Sequence, residues 1–224
     1  MNLDKKIEDI HSAEKLSEEI LFPVMESFYT LQGEGYYQGN AAYFIRLGGC
    51  DVGCFWCDVK ESWDTNIHPK KTVREIVNEA VIETGGRQDK KNIIAVITGG
   101  EPLMHNLLPL TKGLQEAGFA TNIETSGSYP LSGSWNWICL SPKKFKEPLP
   151  EIIKAANELK IIVYNKRDFD WAEKYASLVS ESCKLYLQPE WSKAAAMLPL
   201  IVAYLKLHPK WQLSLQIHKY IHVP

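Results

Sequence analysis

Cys50, Cys54 and Cys57 stand within eight residues as C-x3-C-x2-C. Thiolates are soft ligands that select iron–sulfur clusters, zinc or copper(I) over hard cations. A cubane cluster has four irons to ligate, and no neighbouring cysteine offers a fourth ligand, so one iron is left open. An open coordination position is what separates a catalytic metal site from a closed structural one, a geometric rule stated for zinc. The spacing therefore predicts a cluster that handles a substrate or cosubstrate. The alternative is zinc held by the three cysteines and one histidine, with His68 nearest in sequence, although zinc ligands usually come as two short-spaced pairs. Cys139 and Cys183 are isolated and read as buried small hydrophobes. Two lone cysteines do not make an auxiliary four-cysteine cluster.

Other segments carry polar groups with plainer alternatives beside them. Gly99 and Gly100 let backbone approach a ligand, since glycine has no Cβ, and the following Glu101 offers a carboxylate to an ammonium group. The alternative is a tight turn needing glycine for geometry alone, which taken by itself is the commoner reason for such a pair. Glu124-Thr125-Ser126-Gly127 suits a ribose or a carboxylate, or else caps its own loop. Ser141-Pro142-Lys143 and Gln188-Pro189-Glu190-Trp191 supply a lysine, an amide and a ring; Lys143, Lys144 and Lys146 also read as a solvated basic turn. Trp56, inside the cysteine run, can pack on adenine or in the core. Arg46 has a fork suited to bidentate binding of a carboxylate, with a buried ion pair as the alternative.

These groups must be held by elements, and the pattern of the chain says which. Leu3, Ile7, Ile10, Ala13, Leu16 and Ile20 recur at helical spacing, predicting an amphipathic helix appended to the catalytic unit, where it covers a surface or a subunit or frays. Residues 1–21 thus read as an extension and 22–224 as one catalytic domain. Strands are predicted at 43–47, 92–98, 119–124, 137–140, 160–164, 184–188 and 212–217. Helices are predicted from the Thr72/Glu75 capping box to about residue 84, and at 107–117, 150–159, 168–179 and 192–207. Alternating strands and helices imply a mostly parallel sheet. Seven strands in this length fit a partial or modified (β/α) barrel better than a full one of about 250 residues. Chemistry in such folds sits at the C-terminal ends of strands, where the cysteine run, GGEP, ETSG, SPKK and QPEW all fall.

At 224 residues and 45% hydrophobic content, one domain can bury a full core. A net charge of -2 and a pI near 6.3 give no basic field, so no nucleic acid partner is expected and a small-molecule substrate is favoured. No apolar secretory segment and no run of about 18 apolar residues is present, so no membrane is expected either. Clustered free thiols suit the reducing cytoplasm.

Taken together, TLQGEG, FIRLGGC, the cysteine run with Asp58, ITGGEP, IETSG, SPK, LQP and Q-x-HKY resemble the 7-carboxy-7-deazaguanine synthase family. These are radical S-adenosylmethionine enzymes of queuosine and 7-deazapurine biosynthesis, and the resemblance runs from about Phe22 to the C-terminus. It implies a barrel of the radical S-adenosylmethionine type. It implies conversion of 6-carboxy-5,6,7,8-tetrahydropterin to 7-carboxy-7-deazaguanine, with ammonia lost in a radical ring contraction and S-adenosylmethionine regenerated. A [4Fe–4S] cluster on Cys50, Cys54 and Cys57 is implied. Trp56, Cys57, Asp58, Gly100, Glu101, Ser126, Ser141, Pro142, Lys143 and Gln188 are implied to bind S-adenosylmethionine. Leu31, Gln32, Gly33, Glu34, Arg46, Thr98, His218 and the Pro224 carboxylate are implied to bind the pterin. A reductase, flavodoxin or ferredoxin as electron donor and a homodimer belong to the same resemblance.

One position departs from the family. Members commonly carry Thr or Ser after the Cys-Asp pair as a ligand for Mg2+, and this chain has Val59. A hard cation wants oxygen, which leaves Asp58, water and substrate as donors, or Lys60 as a substitute charge. Two other classes share parts of the pattern: an activating enzyme that makes a glycyl radical on a protein, and a non-enzymatic electron carrier or zinc module. Cys54→Ala is expected to abolish cluster loading, measured as iron, sulfide and visible absorbance after anaerobic reconstitution. A colourless wild-type chain with stoichiometric zinc would establish the zinc reading instead.

Overall fold

The computed structural model describes residues 20–86 and 92–224. Within these residues nine strands form one sheet: β1 (Leu21–Leu31), β2 (Ala41–Leu47), β3 (Lys70–Thr72), β4 (Ile94–Gly99), β5 (Ala120–Thr125), β6 (Trp137–Leu140), β7 (Glu158–Val163), β8 (Lys184–Pro189) and β9 (Trp211–Leu213). Among the described residues six helices accompany them: α1 (Val73–Glu83), α2 (Leu108–Glu116), α3 (Pro150–Ala155), α4 (Asp168–Ala176), α5 (Ala194–Leu207) and α6 (Ile217–Ile221). The strand order is β3-β1-β2-β4-β5-β6-β7-β8-β9. All pairings from β2 to β9 are parallel, while β1 is antiparallel to both β2 and β3. The expected parallel βα order holds. Closure does not: β3 and β9 lie at opposite ends of an open sheet.

The two-residue period of a strand divides the chain's chemistry between the two faces of this sheet. Ile45, Leu47, Ile97, Ile123, Leu159, Ile161 and Leu187 point into the main core, where Ile76, Leu110, Leu114, Ile152 and Ala172 of the helices meet them. Their strand neighbours Arg46, Thr98, Glu124, Lys160 and Gln188 therefore project from the other face. On that face a small cluster of Ala42, Ile94 and Val96, flanked by Tyr37 and Phe44, supplies the apolar packing. The first four residues of β4 are all buried, as expected for a central parallel strand covered on both sides.

The capping box at the start of α1 is complete: the Thr72 hydroxyl accepts from Glu75 N at 3.2 Å, and Glu75 Oε2 accepts from Thr72 N at 2.8 Å. Elsewhere tertiary pairing overrides local pattern. The helix expected over 150–159 stops at Ala155, because Ala156 turns extended and Asn157 is drawn into the sheet, donating to Ile138 O at 3.0 Å and accepting from Ile138 N at 2.8 Å. β7 consequently begins at Glu158, two residues before the expected strand. The strand expected over 212–217 shortens to Trp211–Leu213, and α6 follows. β1 and β3 were not expected from the pattern, and β1 shows no clean alternation, since its burial is mixed along both faces. It opens at Leu21, one residue before the boundary drawn for the catalytic domain. The helix expected over 3–20 lies outside the described residues, Ile20 apart.

Leu140 is fully buried at the end of β6. Leu140→Ala is expected to lower stability by about 2–5 kcal/mol, against about 1 kcal/mol for Thr72→Ala at the cap. Denaturant titration monitored by circular dichroism checks the ranking.

Candidate active site

The C-terminal ends of the parallel strands open into a cavity of about 280 Å³. The cysteine run follows β2 and is fixed by backbone bonds: Gly49 N donates to Ser62 O at 2.6 Å, Glu101 N to Gly49 O at 2.8 Å, and Cys57 N to Cys54 O at 3.1 Å. All three thiols are free and line the cavity. A Cβ on Gly100 would meet Gly49 O at 2.3 Å and the Cys50 Cβ at 2.6 Å, so only glycine lets the loop after β4 lie against the cysteine run. Burial pushes the Cys50 thiol up, and the Cys54 thiol up to about 11. Ligation must displace these protons, because metals bind the thiolate.

Three thiols on one loop can each ligate a separate iron of a cubane. His68, the candidate fourth zinc ligand, does not line the cavity; its Nε2 lies 2.8 Å from Glu61 O and its ring packs over Gly48.

Around the thiols, Trp56, Asp58, Gly100, Ser126, Ser141, Lys143 and Gln188 all line the cavity. Lys143 Nζ donates to Ser141 Oγ at 2.6 Å and stands 5.4 Å from the centre of the Trp56 ring, and burial lowers its pKa. Pro142 sits between two lining residues without lining the cavity itself. Glu101 stands apart from them. It is 1% exposed, off the cavity, and its two carboxylate oxygens accept from Leu103 N at 3.0 Å, Thr125 Oγ1 at 2.6 Å, Ser126 N at 2.8 Å and Ser126 Oγ at 2.5 Å. Four donors occupy it, so it ties the β4 and β5 loops together and presents no free carboxylate to an ammonium group.

All eight residues expected to bind the pterin line the same cavity: Leu31, Gln32, Gly33, Glu34, Arg46, Thr98, His218 and Pro224. They come from both ends of the sequence, and contact explains why. A Cβ on Gly33 would fall 2.0 Å from His218 Nδ1, Ile217 N donates to Gly33 O at 3.0 Å, and Thr30 Oγ1 donates to Pro224 O at 3.2 Å. Arg46 Nε pairs with the half-exposed Glu26 at 2.6 Å while Arg46 borders the cavity, so it is an ion pair at the rim and not a buried one. Burial lowers the His218 pKa, which favours a neutral ring with one donor and one acceptor nitrogen.

No family model matches the chain. A 7-carboxy-7-deazaguanine synthase of Flavobacterium psychrophilum is 51% identical over 204 residues, spanning 91% of this chain and 93% of that protein. The chain belongs to the 7-carboxy-7-deazaguanine synthase family. A Synechocystis synthase is also 51% identical, over 91% of this chain and 94% of its own length, and an Escherichia coli synthase is 36% identical over 90% and 99%. The crystal structure of QueE from Escherichia coli superposes with a TM-score of 0.77 at 32% identity, covering 91% of this chain and 97% of that one.

In this family member the floor of the cavity contains a group that motif reading missed. Lys160 of β7 is 3% exposed and lines the cavity. It is hydrogen-bonded to Glu34 and donates to Glu124 Oε2 at 3.1 Å; Gln32 Nε2 donates to Glu124 Oε1 at 2.9 Å and Gln216 Nε2 to Glu34 Oε1 at 2.8 Å. The available signal was a lysine heading an apolar run in a strand buried on both faces. Burial alone would raise the Glu34 carboxyl; the Lys160 charge, with donations from Lys160, Gln216 and Gln188, holds it near about 2. Burial alone would lower Lys160, and Glu124 and Glu34 hold it well up.

The sign follows. A depressed carboxyl stabilises the fold fully above its ordinary pKa of 4.5, and that contribution is lost as pH falls through about 2. Lys160→Met leaves two carboxylates facing each other and is expected to cost about 3–5 kcal/mol at neutral pH. Urea titrations from pH 7 to pH 3 check this: the deficit of the variant is expected to shrink as its carboxyls protonate.

Proposed function

We propose that the chain converts 6-carboxy-5,6,7,8-tetrahydropterin to 7-carboxy-7-deazaguanine with loss of ammonia, as a radical S-adenosylmethionine enzyme whose open sheet is the partial barrel of that type. The observation that carries this reading is the shared cavity: three free thiols and all eight expected pterin contacts line one space at the strand ends. Family membership at 51% identity supports the same reaction.

Cys50, Cys54 and Cys57 would hold three irons of a [4Fe–4S] cluster, leaving the fourth for S-adenosylmethionine. When bound, the pair would supply the radical chemistry that starts the rearrangement. The chain's own groups orient the reactants. Trp56 offers a flat ring for adenine, and Ser141, Lys143 and Gln188 offer polar contacts beside it. Arg46 binds the pterin carboxylate with its fork. The Pro224 carboxylate accepts from the guanidine-like N–H edge, and neutral His218 and Thr98 read neighbouring polar atoms. Glu34 holds Gln216 and Lys160 in place for this edge. Val59 lines the cavity where the family's hydroxyl ligand would stand, so any Mg2+ would rest on Asp58, water and substrate. A flavodoxin or ferredoxin would supply electrons. A cytoplasmic homodimer is part of the same proposal.

The decisive experiment is an anaerobic assay of reconstituted chain with reductant, S-adenosylmethionine and the carboxytetrahydropterin, with and without Mg2+. Deazaguanine acid is the expected product, with a weaker dependence on Mg2+ than in a Val59→Thr variant. No product from a fully loaded cluster would end the proposal. Arg46→Ala is expected to spare cluster loading and S-adenosylmethionine cleavage while raising KM by roughly 10–100-fold, the loss of one charge-assisted contact.

A further inference from the structure

Backbone bonds to other segments hold the cysteine run only at its start: Gly49 N donates to Ser62 O at 2.6 Å and Cys50 N to Trp63 O at 3.3 Å. From Asp51 to Cys57 the one backbone bond among the described residues is internal, Cys57 N to Cys54 O. Cys54 is nonetheless buried, so side chains keep the rest of the run in place. Asp51 faces away from the cavity, on the outer wall of the run. Its Oδ2 accepts from Tyr129 Oη at 2.5 Å and from Lys146 Nζ at 2.9 Å, and its Oδ1 accepts from the same Nζ at 3.1 Å. Lys146 Nζ also stands 3.9 Å from the centre of the Tyr129 ring, so each of the three groups touches the other two.

A lone exposed ion pair is worth little. Here a charge-assisted hydroxyl bond and a cation–π contact are added to it, and the Tyr129 hydrogen bond, with Lys146 beside it, holds the Asp51 carboxyl below its usual range. Both partners are anchored. Tyr129, in the loop after β5, is half-buried and packs on the main core. Lys146, in the loop after β6, is bridged to Lys143, which lines the cavity 5.4 Å from the centre of the Trp56 ring. Phe145 of that loop meets Phe55 edge-on at 5.7 Å. The loop after β6 therefore flanks the cysteine run on both sides, at Trp56 from the cavity and at Asp51 and Phe55 from outside.

We propose that Asp51, Tyr129 and Lys146 form a latch that keeps the cysteine run closed, with Tyr129 and Lys146 as positioning residues that hold the three thiols in place for the cluster. This rests on the reading that Cys50, Cys54 and Cys57 hold that cluster. A loop of this kind loses its metal through local opening, and the population of the open form is set by the contacts that opening breaks. Swinging the run outward breaks the bonds to Asp51 while the main core stays packed. The effect of the latch is therefore read at Cys54 and not across the fold.

The test uses the full chain as wild type, Tyr129→Phe, Asp51→Ala, these two combined, Lys146→Met, and Thr72→Ala, which removes a helix cap away from the run. In the reduced, metal-free chain, alkylation by iodoacetamide is followed at each cysteine by peptide mass spectrometry, with buried Cys139 reporting opening of the whole fold. In the anaerobically reconstituted chain, iron release to a colorimetric ferrous chelator is followed by absorbance. Tyr129→Phe is expected to speed both Cys54 alkylation and iron release by about tenfold, the loss of one hydrogen bond to a charged group, with Cys139 unmoved. Asp51→Ala is expected to speed them at least as much, and the combined variant to match Asp51→Ala, because both changes remove the same contact. Lys146→Met is expected to give about twofold to fivefold at low salt and no effect at high salt. Thr72→Ala is expected to match wild type at Cys54 and in iron release. The proposal is overturned if Cys54 of Tyr129→Phe reacts at the wild-type rate, if Cys139 rises in step with it, if the combined variant multiplies the single effects, if Thr72→Ala speeds both readouts equally, or if Cys54 opens without faster iron release. A wild type that takes up no iron defeats the cluster reading instead, and Cys54 alkylation in the metal-free chain then decides the latch alone.

Discussion

An ammonium group in the middle of a parallel sheet is stable only if charge of the opposite sign is brought to it, and Lys160 makes that demand of the whole fold. Its two carboxylates come from Glu34, in the loop after β1, and Glu124, at the end of β5, while β7 supplies the lysine itself. Gln32 and Gln216 take up the remaining carboxylate oxygens, and Gln216 is the residue just before α6. One buried charge thus binds the antiparallel start of the chain, the centre of the sheet and the C-terminal segment to a single floor. Truncating such a group leaves uncompensated charge, which is far worse than never having had it.

From that floor the site rises in two halves held by different forces. The thiol half depends on backbone contacts: glycine at position 100 lets the β4 loop touch the cysteine run, and Glu101 turns inward to accept four donors from the β4 and β5 loops. The polar half depends on the C-terminus folding back, with His218 packed on Gly33 and Pro224 beside Thr30. Both halves share the face of the sheet that carries few apolar side chains. The opposite face packs on the helices, so polar groups at the strand ends cost the core nothing.

Much of this was legible in the linear chain because the chemistry is local. Three thiols spaced for a cluster, a glycine pair before an acid, and a lysine after Ser-Pro each act through neighbours a few residues away. The seven parallel strands were legible because burial on both faces demands continuous apolar runs, as in β4. β1 was not, because its burial does not alternate and its partners are β2 and the distant β3. The early end of α3 was not, because Asn157 is claimed by β6, a contact no local propensity encodes. The engagement of Glu101 was not legible either, because the hydroxyls that donate to it lie some twenty-five residues on.

The sequence by itself determined the kind of chemistry, since the type and spacing of Cys50, Cys54 and Cys57 and the order of the later motifs are properties of the chain before it folds. Only the tertiary structure decided which polar groups face the cavity and which are spent on holding it. That choice depends on side chains far apart in sequence competing for the same donors and the same buried charge, and the competition between Glu34, Glu124 and Lys160 is settled only when β5, β7 and the loop after β1 meet.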